Sequence, residues 1–151
     1  MSLQVGDSIP NFKAIAADGT PFDSQSIIGK QPVVIYFYPK DNTPGCTAQA
    51  CSFRDAYQDF QDLGAEVIGV SGDSIRSHQG FQQKYKLPFL LLSDENRKLR
   101  KLFGVPTALF GFIPGRVTYV FNASGSCIYI FDSLSARDHI SKALIALQSK
   151  K

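Results

Sequence analysis

Two cysteines, Cys46 and Cys51, stand where a turn-forming loop, Lys40-Asp41-Asn42-Thr43-Pro44-Gly45, gives way to helical spacing with Phe53, Tyr57 and Phe60 at three- and four-residue steps. A thiol at a helix N-terminus faces backbone N–H groups without intrahelical partners and the positive end of the macrodipole. Both favour the thiolate, which is the nucleophilic form. An ordinary thiol, with a pKa of ~8.5, is only about 3% ionised at pH 7, whereas one near ~6 is about 90% ionised. The alternative is that Cys46 is a small buried hydrophobe, a frequent fate of free cysteine. Its neighbours Thr43, Pro44, Gly45 and Thr47 are loop-formers and weigh toward reactivity, without closing the other reading.

In an intact helix the five-residue spacing to Cys51 sets the two Cα atoms about 8–9 Å apart and about 140° around the axis. A disulfide requires Cα atoms within about 7 Å. Bridging therefore demands that the first turns unwind, and oxidation is expected to melt roughly Gly45 to Arg54. The third cysteine, Cys127, lies in a strand pattern and reads as a buried side chain. The C-x4-C spacing is neither a C-x-x-C redox pair nor a zinc knuckle, and His78 and His139 are far from the cysteines in sequence. No metal and no cofactor is expected.

The elements that must hold this pair follow from periodicity. Asp18-Gly19 marks a hairpin within residues 11–23. Val33 to Tyr38 is an unbroken β-branched and aromatic run, the pattern of a strand buried on both faces. A helix is expected from Cys46 to Leu63, a strand at Glu66–Ser71, a helix at about Ser74–Tyr85, a strand at Pro88–Leu92 and a short basic helix at about Asn96–Phe103. Residues 104–115 read as loop, Val117–Phe121 and Cys127–Phe131 as a hairpin around Asn122-Ala123-Ser124-Gly125, and Ser135–Gln148 as a last helix. The alternation gives parallel strands joined by crossovers, and the hairpin adds antiparallel ones. The expected fold is α/β and thioredoxin-like: one domain over residues 1–151, with a mixed central β-sheet flanked by helices and an N-terminal β-hairpin.

Composition agrees with a globular domain: 151 residues, 44% hydrophobic and 19% charged. A net charge of +3 with no long single-sign run gives no reason to expect nucleic acid. The densest basic stretch, Arg97, Lys98, Arg100 and Lys101, reads as a solvated helix face. No apolar run approaches the ~18 residues of a membrane span, and the first residues lack a secretory pattern. An odd cysteine count argues against a secreted disulfide framework. The expectation is a cytoplasmic protein off the membrane, with a mature organellar protein as the alternative.

The loop from Phe37 to Thr47 resembles the active-site loop of the peroxiredoxins, whose Pro-x-x-x-Thr/Ser-x-x-Cys pattern is met by Pro39, Thr43 and Cys46. The run TPGCTAQACSFRD is similar to the bacterioferritin comigratory protein, or peroxiredoxin Q, subfamily, and EVIGVSGDS, KYKLPFLLLSDE and LFGFIPGRVTYVF extend the likeness. The resemblance implies a thiol peroxidase acting on hydrogen peroxide and organic hydroperoxides. Cys46 would be the peroxidatic nucleophile and Cys51 the resolving thiol in an intramolecular disulfide cycle. Thr43 would offer its hydroxyl to thiolate and peroxide, Pro39 would shield the sulfur, and Arg116 would hold the anionic oxygens. Arg54 and Gln49 are weaker candidates, and Gln49 stands where many members carry Glu. The resemblance also implies thioredoxin, or else glutaredoxin, as reductant, and a monomer. An arginine between Gly115 and the apolar strand Val117–Phe121 agrees with a buried anionic partner, although residue types alone equally leave a solvated strand-edge arginine open. Phe112 and Ile113 hint at an apolar rim.

Two other classes compete. A protein thiol–disulfide oxidoreductase would carry C-x-x-C and has no use for Thr43. A holdase or redox-sensing module would bind clients without turnover, and would keep its protection after Cys46→Ser.

Overall fold

Strand β3 (Val33–Phe37) is buried along its whole length, and its side chains alternate between the two halves of the core. Val34, Tyr36 and Tyr38 face one cluster; Val33, Ile35 and Phe37 face the other. Such an unbroken apolar run suits the middle of a sheet covered on both sides. The structure, a computed structural model, describes residues 3–27, 29–105, 107–108, 113–133 and 138–149.

The chain runs β1 (Lys13–Ala16), β2 (Pro21–Asp23), β3, α1 (Pro44–Asp55), α2 (Tyr57–Asp62), β4 (Glu66–Ser71), α3 (Ile75–Tyr85), β5 (Leu90–Ser93), α4 (Lys98–Phe103), β6 (Thr107–Ala108), β7 (Ile113–Pro114), β8 (Val117–Phe121), β9 (Cys127–Asp132) and α5 (His139–Ser149). Seven strands form one sheet in the order β2-β1-β5-β4-β3-β8-β9. β3, β4 and β5 are parallel, while β8 and β9 and the N-terminal hairpin join antiparallel. Side chains of α1, α2, α3 and α5 fill one face; α4 and the N-terminal segment fill the other. This is the thioredoxin-like mixed sheet expected from the element order.

Three details depart from the sequence reading. The expected helix from Cys46 to Leu63 is two helices, broken at Ala56, where φ is −95° and ψ is 3°. No glycine or proline marks the break. It accompanies the packing of Phe53 and Tyr57 around Phe89, with ring centroids 6.3 Å and 6.2 Å away. Within residues 104–115, read as loop, β6 and β7 pair antiparallel, a ladder too short to show periodicity. The basic helix is not wholly a solvated face, because Arg100 is only 7% exposed. The expected start of the last helix at Ser135, and Phe112 of the proposed rim, lie outside the described residues; of Ile113 only the backbone is described.

Candidate active site

The C-terminal end of β3 carries the chain into a loop that is held at one residue. Asp41, 3% exposed, accepts hydrogen bonds on Oδ1 from the Tyr38 hydroxyl (2.6 Å) and on Oδ2 from the Ser77 hydroxyl (2.9 Å). His78 Nδ1 lies 2.7 Å from the same Oδ2, and His78 Nε2 lies 3.0 Å from the Leu92 carbonyl. A carbonyl only accepts, so Nε2 carries a proton, and a second proton lies between Nδ1 and Asp41. The Asp41 backbone N–H donates to Asp73 Oδ2 (2.8 Å), which also accepts from Ser71 Oγ (2.6 Å). Asn42 then takes the left-handed conformation (φ 62°), which asparagine tolerates, and turns the chain toward α1. Sequence reading missed this anchor. Its polar members are scattered over β3, the loop and α3, and only the fold brings them together.

Thr43 is the N-cap of α1, in extended conformation, and its carbonyl accepts from Thr47 N–H (2.8 Å). Its hydroxyl donates to the Lys40 carbonyl (2.8 Å) and makes no cap bond. Pro44 opens the helix, a position where the missing N–H costs nothing. Cys46 therefore lies in the first turn, as its position in the sequence implied, and is 1% exposed. Pro39 is half-buried at the end of β3.

Arg116 enters from the start of β8, 5% exposed. Its Nη2 stands 3.4 Å from Cys46 Sγ, and its Nη1 donates to Gln49 Oε1. The guanidinium thus lies on the sulfur, where a positive charge favours the thiolate. Gly45 permits the approach: a Cβ there would sit 3.0 Å from Nη2. Gln49 is fully buried, and its Nε2 has no hydrogen-bond partner among the described residues. Turning the amide over would set two donors against each other, so Arg116 fixes its orientation.

Cys51 is half-buried farther along the same unbroken helix, and all three cysteines are free thiols. Arg54 points elsewhere: Nη1 donates to the Tyr85 carbonyl (2.7 Å) and Nε to Asp55 (3.0 Å), tying the end of α1 to the end of α3. Beside it Phe53 is fully buried and stacks on Tyr36 with centroids 4.5 Å apart. Cys127 is buried in β9, and burial pushes its thiol up to about 11, so it is a poor nucleophile. His139 is buried between the Thr118 hydroxyl (2.6 Å) and the Ser133 carbonyl (2.8 Å). Burial lowers its pKa, the Ser133 bond opposes this, and the charge of Arg116 adds to the lowering. Among the described residues Asp41, Asp73 and His78 offer ligand atoms within 4.8 Å of one another, but those atoms are engaged in the hydrogen bonds above.

A nucleophile in a helix's first turn, a guanidinium on it and a second thiol in the same helix can together reduce a polarised single bond and then close a disulfide. Comparison with known proteins points the same way. The AhpC/TSA family model matches residues 5–130. A chloroplastic peroxiredoxin Q of Oryza sativa subsp. japonica is 52% identical over 145 residues, covering 95% of this chain and 66% of the relative. This chain thus spans about two thirds of that relative's length. The crystal structure of peroxidoxin BcpB from Mycobacterium tuberculosis superimposes with a TM-score of 0.90 at 32% identity, covering 99% of both chains. A bacterioferritin comigratory protein of Xanthomonas campestris, described for its alkyl peroxide reduction activity, superimposes with a TM-score of 0.85 at 28% identity, covering 95% of this chain and 98% of the other.

Proposed function

The chain belongs to the AhpC/TSA family, and from that premise we propose that it is a thiol peroxidase working through Cys46 and Cys51. One observation carries the reading most directly: the buried Arg116 guanidinium 3.4 Å from Cys46 Sγ in the first turn of α1. The Cys46 thiolate attacks the terminal oxygen of a hydroperoxide. A sulfur–oxygen bond forms, the O–O bond breaks, and the departing alkoxide or hydroxide takes a proton to leave as alcohol or water. Charge grows on both oxygens as the bond breaks, and Arg116 with the first-turn N–H groups is already aimed there. The Thr43 hydroxyl donates a hydrogen bond to the Lys40 carbonyl, which leaves its oxygen as an acceptor for the peroxide proton. Pro39, half-buried at the strand end, limits water at the sulfur.

Cys46 is then a sulfenic acid. The Cys51 thiol attacks it, a disulfide forms and water leaves. The helix spacing forbids this in place, so the first turns of α1 unwind. Asp41 supplies the fixed end before the moving segment. The buried Phe53, stacked on Tyr36, and Arg54, bonded to Tyr85, supply the fixed end after it. The melted stretch is therefore about Thr43 to Ser52, equal in length to the span expected from sequence but shifted two residues toward the N-terminus. An external dithiol of the thioredoxin or glutaredoxin type returns two electrons and restores both thiols. Alkyl hydroperoxides join hydrogen peroxide as proposed substrates, by analogy with the Xanthomonas protein. The protein acts as a monomer in a reducing compartment. The chloroplastic name of the rice relative makes the chloroplast an alternative to the cytoplasm.

The test is a mass and free-thiol count after one equivalent of hydrogen peroxide. Loss of two thiols and two mass units, with peptides linking Cys46 to Cys51, is expected. Cys51→Ser should keep the first peroxide reduction and lose thioredoxin-driven cycling. A protein that stays unreacted, or that links Cys46 to Cys127, overturns the scheme.

A further inference from the structure

The basic stretch of α4 contains one cation that solvent does not explain. Arg100 is 7% exposed, and its guanidinium lies 5.7 Å from the centre of the Phe37 ring. Among the described residues no carboxylate comes within ion-pair distance of it. The nearby Asp94 is engaged with the backbone, accepting from Leu99 N–H (2.8 Å) and Arg100 N–H (2.9 Å). Burial presses the Arg100 pKa below the usual arginine value, yet a guanidinium stays charged in proteins. Burying a cation opposes folding, and the charge of Asp94 offsets that cost only at a distance, without a direct ion pair. The cost calls for a role, and the partners of Arg100 indicate which.

Nη1 donates to the Gly115 carbonyl (3.2 Å) and Nη2 to the Tyr38 carbonyl (3.3 Å). Gly115 immediately precedes Arg116, and Tyr38 immediately precedes Pro39. The β3–β8 ladder ends at the pair Phe37 and Val117. Beyond that pair, among the described residues, no further β3–β8 pairing joins the thiol-bearing loop to the arginine-bearing segment. The planar fork of Arg100 spans the gap, a geometry that the single ammonium of lysine does not reproduce.

We propose that Arg100 is a positioning residue, clamping the end of β3 to the start of β8 so that the Arg116 guanidinium is held on Cys46. The proposal rests on the peroxidase reading for its rate consequence, but its structural content is independent of substrate. It acts through Arg116, so its effect should vanish where Arg116 is already gone.

The experiment is a double-mutant cycle with Arg100→Met and Arg116→Met, in a Cys51→Ser, Cys127→Ser background where Cys46 is the remaining thiol. Two quantities are read: the single-turnover rate with hydrogen peroxide, and the pH midpoint of the Cys46 thiolate absorbance. Arg100→Met should slow the reaction about 100-fold, the scale of a small misplacement at a reacting centre. It should also raise the thiolate midpoint. In the Arg116→Met background it should change neither. Equal losses in both backgrounds would show a general structural role and overturn the proposal. If Arg100→Met does not fold, Arg100→Lys decides: a loss of about tenfold is expected, and a wild-type rate and midpoint refute the clamp. A parent protein inert to peroxide sinks the peroxidase reading instead, and the thiolate midpoints then still decide whether Arg100 acts through Arg116.

Discussion

Two buried polar clusters meet the loop after β3, and they differ in how fully their hydrogen bonds close. Around Asp41 both carboxylate oxygens and the backbone N–H are engaged, and both nitrogens of His78 face acceptors. Around Cys46 the set is open: Gln49 Nε2 is buried without a partner among the described residues, and the thiol meets a guanidinium that also serves Gln49. A closed buried network rigidifies, since every change in it leaves a partner stranded. An open one retains capacity for a group that is not yet there, and an unsatisfied buried donor in a native structure asks for such an explanation. The chain thus puts its scaffold and its chemistry on neighbouring residues of one loop.

The sharpest way to break this contrast is at the sulfur. Cys46→Ser should abolish peroxide consumption, measured by the loss of hydrogen peroxide with a dithiol reductant, while leaving the denaturation midpoint nearly unchanged. Surviving turnover would move the chemistry elsewhere. Next in size is Arg116→Ala, expected to slow single-turnover oxidation of Cys46 by about 100- to 1000-fold, the usual loss when a donor at a developing oxyanion is removed. It should also shift the Cys46 thiolate titration upward. Unchanged kinetics would make the 3.4 Å contact a packing accident.

Asp41→Asn tests the closed cluster. An amide cannot accept from the Tyr38 and Ser77 hydroxyls and also match His78, and each buried group left unsatisfied costs about 1–3 kcal/mol; the loss should appear as a lowered urea midpoint with an unchanged slope. The rate should fall less than for Arg116→Ala. A stable variant with abolished oxidation would reverse the assignments and place Asp41 in the chemistry.

The two clusters were not equally legible in sequence. Cys46, Thr43, Pro44 and Gly45 are contiguous, and a nucleophile at a loop-to-helix junction can be reasoned from residue types alone. Arg116 was legible through the family resemblance, whereas its residue type alone left a solvated strand-edge arginine open. The Asp41 network was not, because Tyr38, Ser77 and His78 meet it only after β3 and α3 have docked. Arg100 was misread for a related reason: within a basic hexapeptide the periodicity of so short a helix cannot say which cation turns inward. The mixed sheet, with its parallel and antiparallel parts, followed from the alternation of strands and helices and the hairpin. The break at Ala56 did not, since it depends on aromatic packing against Phe89, and nothing at that position signals it.

The smallest effect concerns His139, which bonds Thr118 on the same face of β8 that carries Arg116 and faces Cys46. Its pKa is lowered, first by burial and then by the charge of Arg116, against the opposing pull of the Ser133 carbonyl. In the unfolded chain the ring titrates near ~6.5. Between that value and its lower folded value the unfolded state binds more protons, so stability rises with pH across the window. Above ~6.5 the contribution is fully present; it is lost as pH falls toward the folded pKa. Urea midpoints should therefore decline on acidification below neutrality, and His139→Gln should flatten that decline while lowering stability at neutral pH by breaking the Thr118 and Ser133 bonds. Arg116→Met, which removes one cause of the lowering, should shallow the decline only partly. An acid profile identical in wild type and His139→Gln would show that the ring does not titrate differently on folding.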